Sequence, residues 1–199
     1  MLMADACPYQ HVNVCDLHAR RGLPGGMARL GRSEVCNGQG VFATCFLPTG
    51  TPVTGYACVK VAPDVTRDRL RPRPPVDSDY MYTRTDGREI DGHPTILRGR
   101  YSRRSWGYAN MANDALHLEL TQRENNCKFV ERSDAVYLVT IQSVEAGDEL
   151  LVSYGFDYWW FRRNDLRLPL HVRKWLKNDS SRSAYEESAD SAGRLRVSS

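Results

Sequence analysis

The chain has 199 residues, 41% of them hydrophobic and 26% charged, with a formal net charge of +3. That length favours one domain with tails over two full domains, and the composition excludes wholesale disorder and collagen-like repeats. The mild positive charge permits an acidic partner without demanding one, and no apolar run approaches the ~20 residues of a bilayer span, so no membrane attachment is expected.

The opening MLMADACPYQHVNVCDLHARR lacks the apolar core of a secretory signal, which leads to the expectation of an intracellular protein. Cys7, Cys15, Cys36, Cys45, Cys58 and Cys127 form no CxxC or CxC pair. Structural zinc sites use such short spacings, so no metal is expected and the cysteines read as reduced thiols.

In chain order, residues 1–33 contain ARRGLPGGMARLGR and read as a loop-rich extension. GVFATCF and PVTGYACVKV then read as short strands around the turn LPTGT. The proline-arginine stretch at 63–77 is unfit for a central strand. SDYMYTRTD offers a brief strand, and GREIDGHP reads as a turn with Asp91-Gly92 inside it. AVYLVTIQSV (135–144) is the clearest strand, EAGDE a turn and LLVSYG a further strand. A basic helical piece interrupted by Pro169 is expected at 161–178, and 179–199, polar and small, reads as a disordered tail.

Taken one at a time, the candidate site residues have ordinary explanations. Gly38-Gln39-Gly40 suits a tight turn before a strand. Asn110 and Asn113 suit a loop, or a place where an amide that both donates and accepts holds a polar ligand. Tyr154 suits a core ring with one hydroxyl partner.

Their order is more specific. NGQGVFAT, PTGTPVTGY, DYMY followed by GREIDG, GYANMAND, NNCKF and EAGDELLVSYGFDYW together resemble the SET-domain lysine methyltransferases from about Ser33 to Trp159. The closing piece is especially like that of short stand-alone SET domains. The resemblance implies a mainly β fold of small curved sheets with a knot-like C-terminal segment and a short C-terminal helix, with the domain at 34–160. It departs at the family's Asn-His-Ser, which reads Asn113-Asp114-Ala115 here; Asn110 is the alternative register for the motif asparagine. No cysteine-rich module follows the domain, so any cover over the substrate must come from YWWFRR and the terminal helix.

The resemblance also implies an activity: transfer of a methyl group from S-adenosylmethionine to a protein lysine, with histones the favoured substrate class and a nuclear location to match. It implies that Tyr154 is the catalytic tyrosine and that Tyr80 or Tyr82 lines the lysine channel. It further implies that Gly38, Gln39 and Gly40 support the cofactor, that Asn113 bonds its amino-acid end and that the Asp114 backbone bonds the adenine. Trp159 or Trp160 would offer adenine an aromatic face; adjacent residues of a strand face opposite sides, so only one can serve. RDRLRPRP, RGRYSRR and FRRNDLRLPLHVRKW permit a weak nucleic-acid contact. Two other readings are a catalytically silent SET-fold interaction module, favoured by Asn-Asp-Ala, and a small DNA-binding protein, which has only charge behind it.

Overall fold

The computed structural model describes residues 26–56, 59–60, 80–87, 89–92, 107–116, 118–132 and 135–193. The strands are β1 (Ala28–Arg32), β2 (Gln39–Ala43), β3 (Pro52–Gly55), β4 (Val59–Lys60), β5 (Met81–Thr83) and β6 (Glu89–Asp91), then β7 (Cys127–Arg132) and β8 (Ala135–Thr140). The helices are α1 (Leu118–Thr121), α2 (Phe156–Arg162), α3 (Leu170–Leu176) and α4 (Ser181–Gly193), with a 3-10 turn at Ala109–Met111. The first two basic stretches named above, and the segments around them, lie outside the described residues.

Among the described residues three small antiparallel sheets result, as expected of a mainly β chain. β1 and β2 form a hairpin in which Gly31 faces Gly40 and Arg32 faces Gln39. β8 is the centre of a β3-β8-β7 sheet, and β6 is the centre of a β4-β6-β5 sheet. The central position of β8 explains its sequence: Val136 to Thr140 are all buried, giving a continuous apolar run where an edge strand would alternate.

Glu149 to Val152 tie these pieces together. This segment does not form the expected ladder strand; it pairs by single bridges, Glu149 with Phe42, Leu151 with Asn113 and Val152 with Cys127. The Leu150 amide bonds the Val41 carbonyl at 2.7 Å, the Val152 amide bonds the Asn113 carbonyl at 2.8 Å, and the Leu151 carbonyl takes the Cys127 amide at 2.9 Å. Leu150 and Leu151 are fully buried alongside Val41, Leu47, Val53 and Leu138. Each such side chain stabilises the fold by about 1.5–3 kcal/mol through the area it removes from water.

Three local expectations are corrected. The turn expected within GREIDG sits earlier: Gly87 takes a positive φ of 81° and its amide bonds the Arg84 carbonyl at 2.9 Å. Residues Glu89–Asp91 are therefore free to pair with strands on both sides. The basic piece is two helices, and Pro169 caps the start of α3, the position where proline's missing N–H costs least. The segment read as a disordered tail is helical from Ser181 to Gly193. Its alanines and glutamates favour helix, and Tyr185 packs into a second core with Leu116, Phe156, Val172 and Leu176. The tail looks polar in sequence because one aromatic residue supplies most of its anchorage.

Candidate functional site

A cleft of about 680 Å³ opens between the β1–β2 connection, the Asn110–Asp114 segment and the C-terminal helices. Its floor depends on Gly40. A Cβ there would lie 2.0 Å from Glu149 Oε1, so only glycine leaves room for that carboxylate. Glu149, 3% exposed, accepts the Ser33 hydroxyl at 2.8 Å and the Glu34 amide at 2.7 Å. The Asn113 amide nitrogen donates to Glu149 Oε1 at 3.1 Å and to the Gln39 carbonyl at 2.9 Å. Both N–H bonds of that amide are thereby used, which sets its orientation and leaves Oδ1 as the atom able to receive a donor.

Beside it lies Asp114, 6% exposed. Its Oδ1 accepts the Leu116 amide at 2.7 Å and the Asn125 side-chain amide at 3.1 Å. Its Oδ2 accepts the Tyr154 amide at 2.8 Å, the Trp159 indole N–H at 2.8 Å and the Tyr185 hydroxyl at 2.6 Å. Five neutral donors thus surround a buried carboxylate, which is how such a charge is tolerated away from water.

Tyr154 follows directly from this arrangement. Its amide is fixed on Asp114, and its hydroxyl donates to the Ala112 carbonyl at 2.6 Å. The ring lies stacked against Trp159 and edge-on to Tyr158, at centroid distances of 6.0 and 4.9 Å. Burial, reinforced by neighbouring negative and phenolic groups, pushes the Tyr154 hydroxyl well above its ordinary value of 10.0, so it stays protonated in neutral and mildly alkaline water.

On the far side of Tyr154 lies a second cavity, of about 110 Å³, walled by Tyr56, Tyr82, Phe129, Tyr154 and Tyr158. Tyr56, Tyr82 and Phe129 form a triangle with ring centroids 5.4–6.0 Å apart. The Tyr56 hydroxyl donates to the Tyr80 carbonyl at 2.8 Å, and the Tyr82 hydroxyl donates to Glu131 at 3.2 Å. Burial first, then the adjacent Glu131 carboxylate, raises the Tyr82 hydroxyl.

The candidate residues fall as follows. Gly38, Gln39, Asn113, Asp114, Tyr154, Trp159 and Tyr80 line the larger cleft, while Tyr82 lines the aromatic cavity. Gly40 lies beneath the floor, in contact with Glu149. Asn110 borders both cavities but spends its amide on the Gly92 carbonyl at 2.8 Å, steadying the end of β6. The tryptophan pair is on helix α2, where neighbours point about 100° apart rather than to opposite faces. Trp159 turns inward to Asp114, whereas Trp160 is exposed and stacks with the Arg163 guanidinium at 4.0 Å.

Sequence reasoning missed Glu149, Tyr185, Tyr158, Tyr56 and Phe129 as parts of the site. The acidic residue of the AGDEL turn was a visible signal for Glu149, since a carboxylate just before a fully apolar segment invites a partner. Tyr185 carried no comparable mark.

Fold and site together define a SET-type domain. The SET-domain family profile matches residues 38–155, more than half of the chain, and the chain belongs to that family. Among solved structures it is similar to a Plasmodium falciparum protein provisionally assigned as a histone methyltransferase, with 17% identity over 69% of this chain and 98% of that one, at a TM-score of 0.45. It is also similar to the methyltransferase domain of human PR domain-containing protein 2, with 23% identity over 78% of this chain and 91% of that one, at a TM-score of 0.42. No curated protein matches the sequence. Among the described residues, no helix is long and apolar enough to cross a membrane.

Proposed function

We propose that the protein is an S-adenosylmethionine-dependent protein-lysine N-methyltransferase, and that lysine-bearing histones are the first substrates to test. One observation carries this reading: Tyr154 stands in the wall of both a polar cleft and an aromatic cavity. That is the place where a group passed from one bound molecule to another would have to cross. The choice of histones, and a nuclear location with it, rests on the family resemblance alone.

The residues present fit the cofactor. The cleft volume lies within the usual range of about 300–1,000 Å³ for small-molecule sites. The oriented Asn113 offers an oxygen to the ammonium of an amino-acid end, and the backbone of Gly38 and Gln39 borders the same cleft. When bound, the cofactor supplies a methyl group on a sulfonium, whose thioether is the leaving group.

The remaining work falls to the chain's own residues. A free lysine has a pKa of about 10.4, and a narrow aromatic cavity disfavours its charged form. The Tyr154 proton is spent on Ala112 and the Tyr82 proton on Glu131, so both hydroxyls meet an entering amine as acceptors. An amine that donates to them keeps its lone pair for the reaction and is held along one line, an advantage of orientation. With its hydroxyl raised well above 10.0, Tyr154 acts as a positioning acceptor and not as the base. Solvent removes the proton before the amine is enclosed.

The departure from Asn-His-Ser gives little support to a silent module, because Asp114 is a fully bonded part of the wall. Calorimetric titration with S-adenosylmethionine is expected to give one-to-one binding, and histone transfer assays a methylated product. Tyr154→Phe should lower kcat at least a hundredfold with cofactor affinity within about threefold, since the lost contact is made in the reacting complex. Absence of binding at millimolar cofactor would overturn the reading. Normal turnover of Tyr154→Phe would overturn the assignment of that tyrosine.

A further inference from the structure

We propose that Tyr185, carried on the C-terminal helix α4, is a positioning residue for the reaction: it locks the Ser153–Gly155 turn to Asp114 and so holds Tyr154 in the wall between the two cavities. This rests on the methyltransferase reading for its catalytic consequence, and on geometry alone for its structural one.

The hydrogen bonding of this hydroxyl is complete. A tyrosine hydroxyl has one proton to give and two lone pairs to fill. The proton goes to Asp114 Oδ2 at 2.6 Å. The lone pairs then receive the Ser153 hydroxyl at 2.8 Å and the Gly155 amide at 3.1 Å. Tyr185 therefore contacts the residues on both sides of Tyr154, while Asp114, its acceptor, also receives the Tyr154 amide itself. Among the described residues, the phenol is the group that links the turn to the carboxylate from outside the turn.

The rest of α4 serves to deliver it. Tyr185 is 2% exposed and its ring meets Phe156 edge-on at 5.9 Å. Next to it in space, Arg182 spans from Asp157 at 2.6 Å to Glu186 at 3.2 Å and lies over the Phe156 ring. Those exposed ion pairs contribute little by themselves. The helix is also seated at its start, where the buried Ser181 hydroxyl donates to the Trp175 carbonyl, and the buried Tyr185 hydroxyl then reaches its three partners. A polar helix thus supports a site whose lining residues lie between residues 32 and 172.

The test uses the full chain and Tyr185→Phe, which keeps the ring and removes the hydroxyl. The expected result is a tenfold or greater loss of kcat, with cofactor Kd within about threefold and a thermal midpoint lowered by only a few degrees. Amide hydrogen exchange should quicken at Tyr154 and Gly155 and stay unchanged at Leu150 and Leu151. A purely structural role would instead lower affinity, midpoint and core protection together, and that pattern would overturn the proposal, as would an unchanged kcat.

Should the variant fail to fold, exchange in the wild-type protein decides the matter. The Gly155 amide is shared between Tyr185 at 3.1 Å and the Ser153 hydroxyl at 3.3 Å, so a Gly155 amide and a Tyr154 amide protected together support the lock, and exchange of either at the rate of an exposed loop overturns it. If the wild type transfers no methyl group, the methyltransferase reading fails, while the exchange data still judge the lock.

Discussion

Two buried carboxylates underlie the candidate site, and they are built to different ends. Glu149 reaches across from the segment before Leu150 and gathers three donors from the β1–β2 connection and Asn113. Asp114 sits at the centre and gathers five, from the nearby Leu116 amide, the turn around Tyr154, helices α2 and α4 and the Asn125 loop. Glu149 works through close approach, because its oxygen occupies the space where Gly40 lacks a side chain. Asp114 works through the sign of its hydrogen bonds, because every group around it donates. The first is therefore most sensitive to bulk and the second to any atom that donates in its place.

The largest effect is expected from bulk at the first carboxylate. In Gly40→Ala the new methyl group would stand 2.0 Å from Glu149 Oε1 and 2.8 Å from its Cδ, so the carboxylate has to leave. Overpacking of this kind costs about 1–3 kcal/mol. The abandoned donors of Ser33, Glu34 and Asn113 add roughly 1–3 kcal/mol more where water cannot replace Glu149. Denaturant unfolding should show the combined loss, and calorimetry should show cofactor binding weakened at least tenfold. Retention of wild-type affinity would mean that Glu149 does not hold the cofactor edge.

A smaller loss is expected at the second. Asp114→Asn preserves shape, yet an amide nitrogen in place of Oδ1 faces two donors, and in place of Oδ2 faces three. The cost is about 1–3 kcal/mol for donors left unmet, or about 2–4 °C in Tm per kcal/mol for a chain of this size. Cofactor affinity should fall less than in Gly40→Ala, and kcat more, since the damage lies on the Tyr154 side. If the two variants lose affinity and turnover in the same proportion, the division of labour between the carboxylates is wrong.

That division also marks what could be read from sequence. The order of motifs from NGQGVFAT to EAGDELLVSYGFDYW identified the family and brought Gly38, Asn113 and Tyr154 to notice, because each belongs to a short local pattern. Glu149 escaped because its partners Ser33 and Glu34 lie 116 and 115 residues away, and no local pattern encodes such a distance. Tyr185 escaped because a single anchor in a polar helix produces no periodic apolar signal. Trp159 was seen but given strand geometry, and the helix from Phe156 changes which neighbour it can reach. Tyr80 and Tyr82 could not be separated without the register of β5 on β6, which puts Tyr82 opposite Ile90 and its hydroxyl on Glu131.

A third carboxylate sharpens the contrast and gives the smallest effect. Glu131 lies at the rim of the aromatic cavity and is reached by solvent, unlike the other two. Partial burial acts to raise its carboxyl, but the Thr85 amide and hydroxyl, the Tyr82 hydroxyl and the Arg84 guanidinium outweigh that and hold it below its ordinary value. A carboxyl lowered by folding stabilises the fold above its unfolded pKa, about 4.3, and the contribution disappears as pH falls through the lower folded value. Glu131→Gln should therefore melt below the wild type at pH 7, and the gap should close as the medium is acidified past pH 4. A gap that stays constant down to pH 3 would show that shape and neutral hydrogen bonding, rather than charge, hold Tyr82 in the wall. The rim would then follow the same neutral-donor logic as the buried pair.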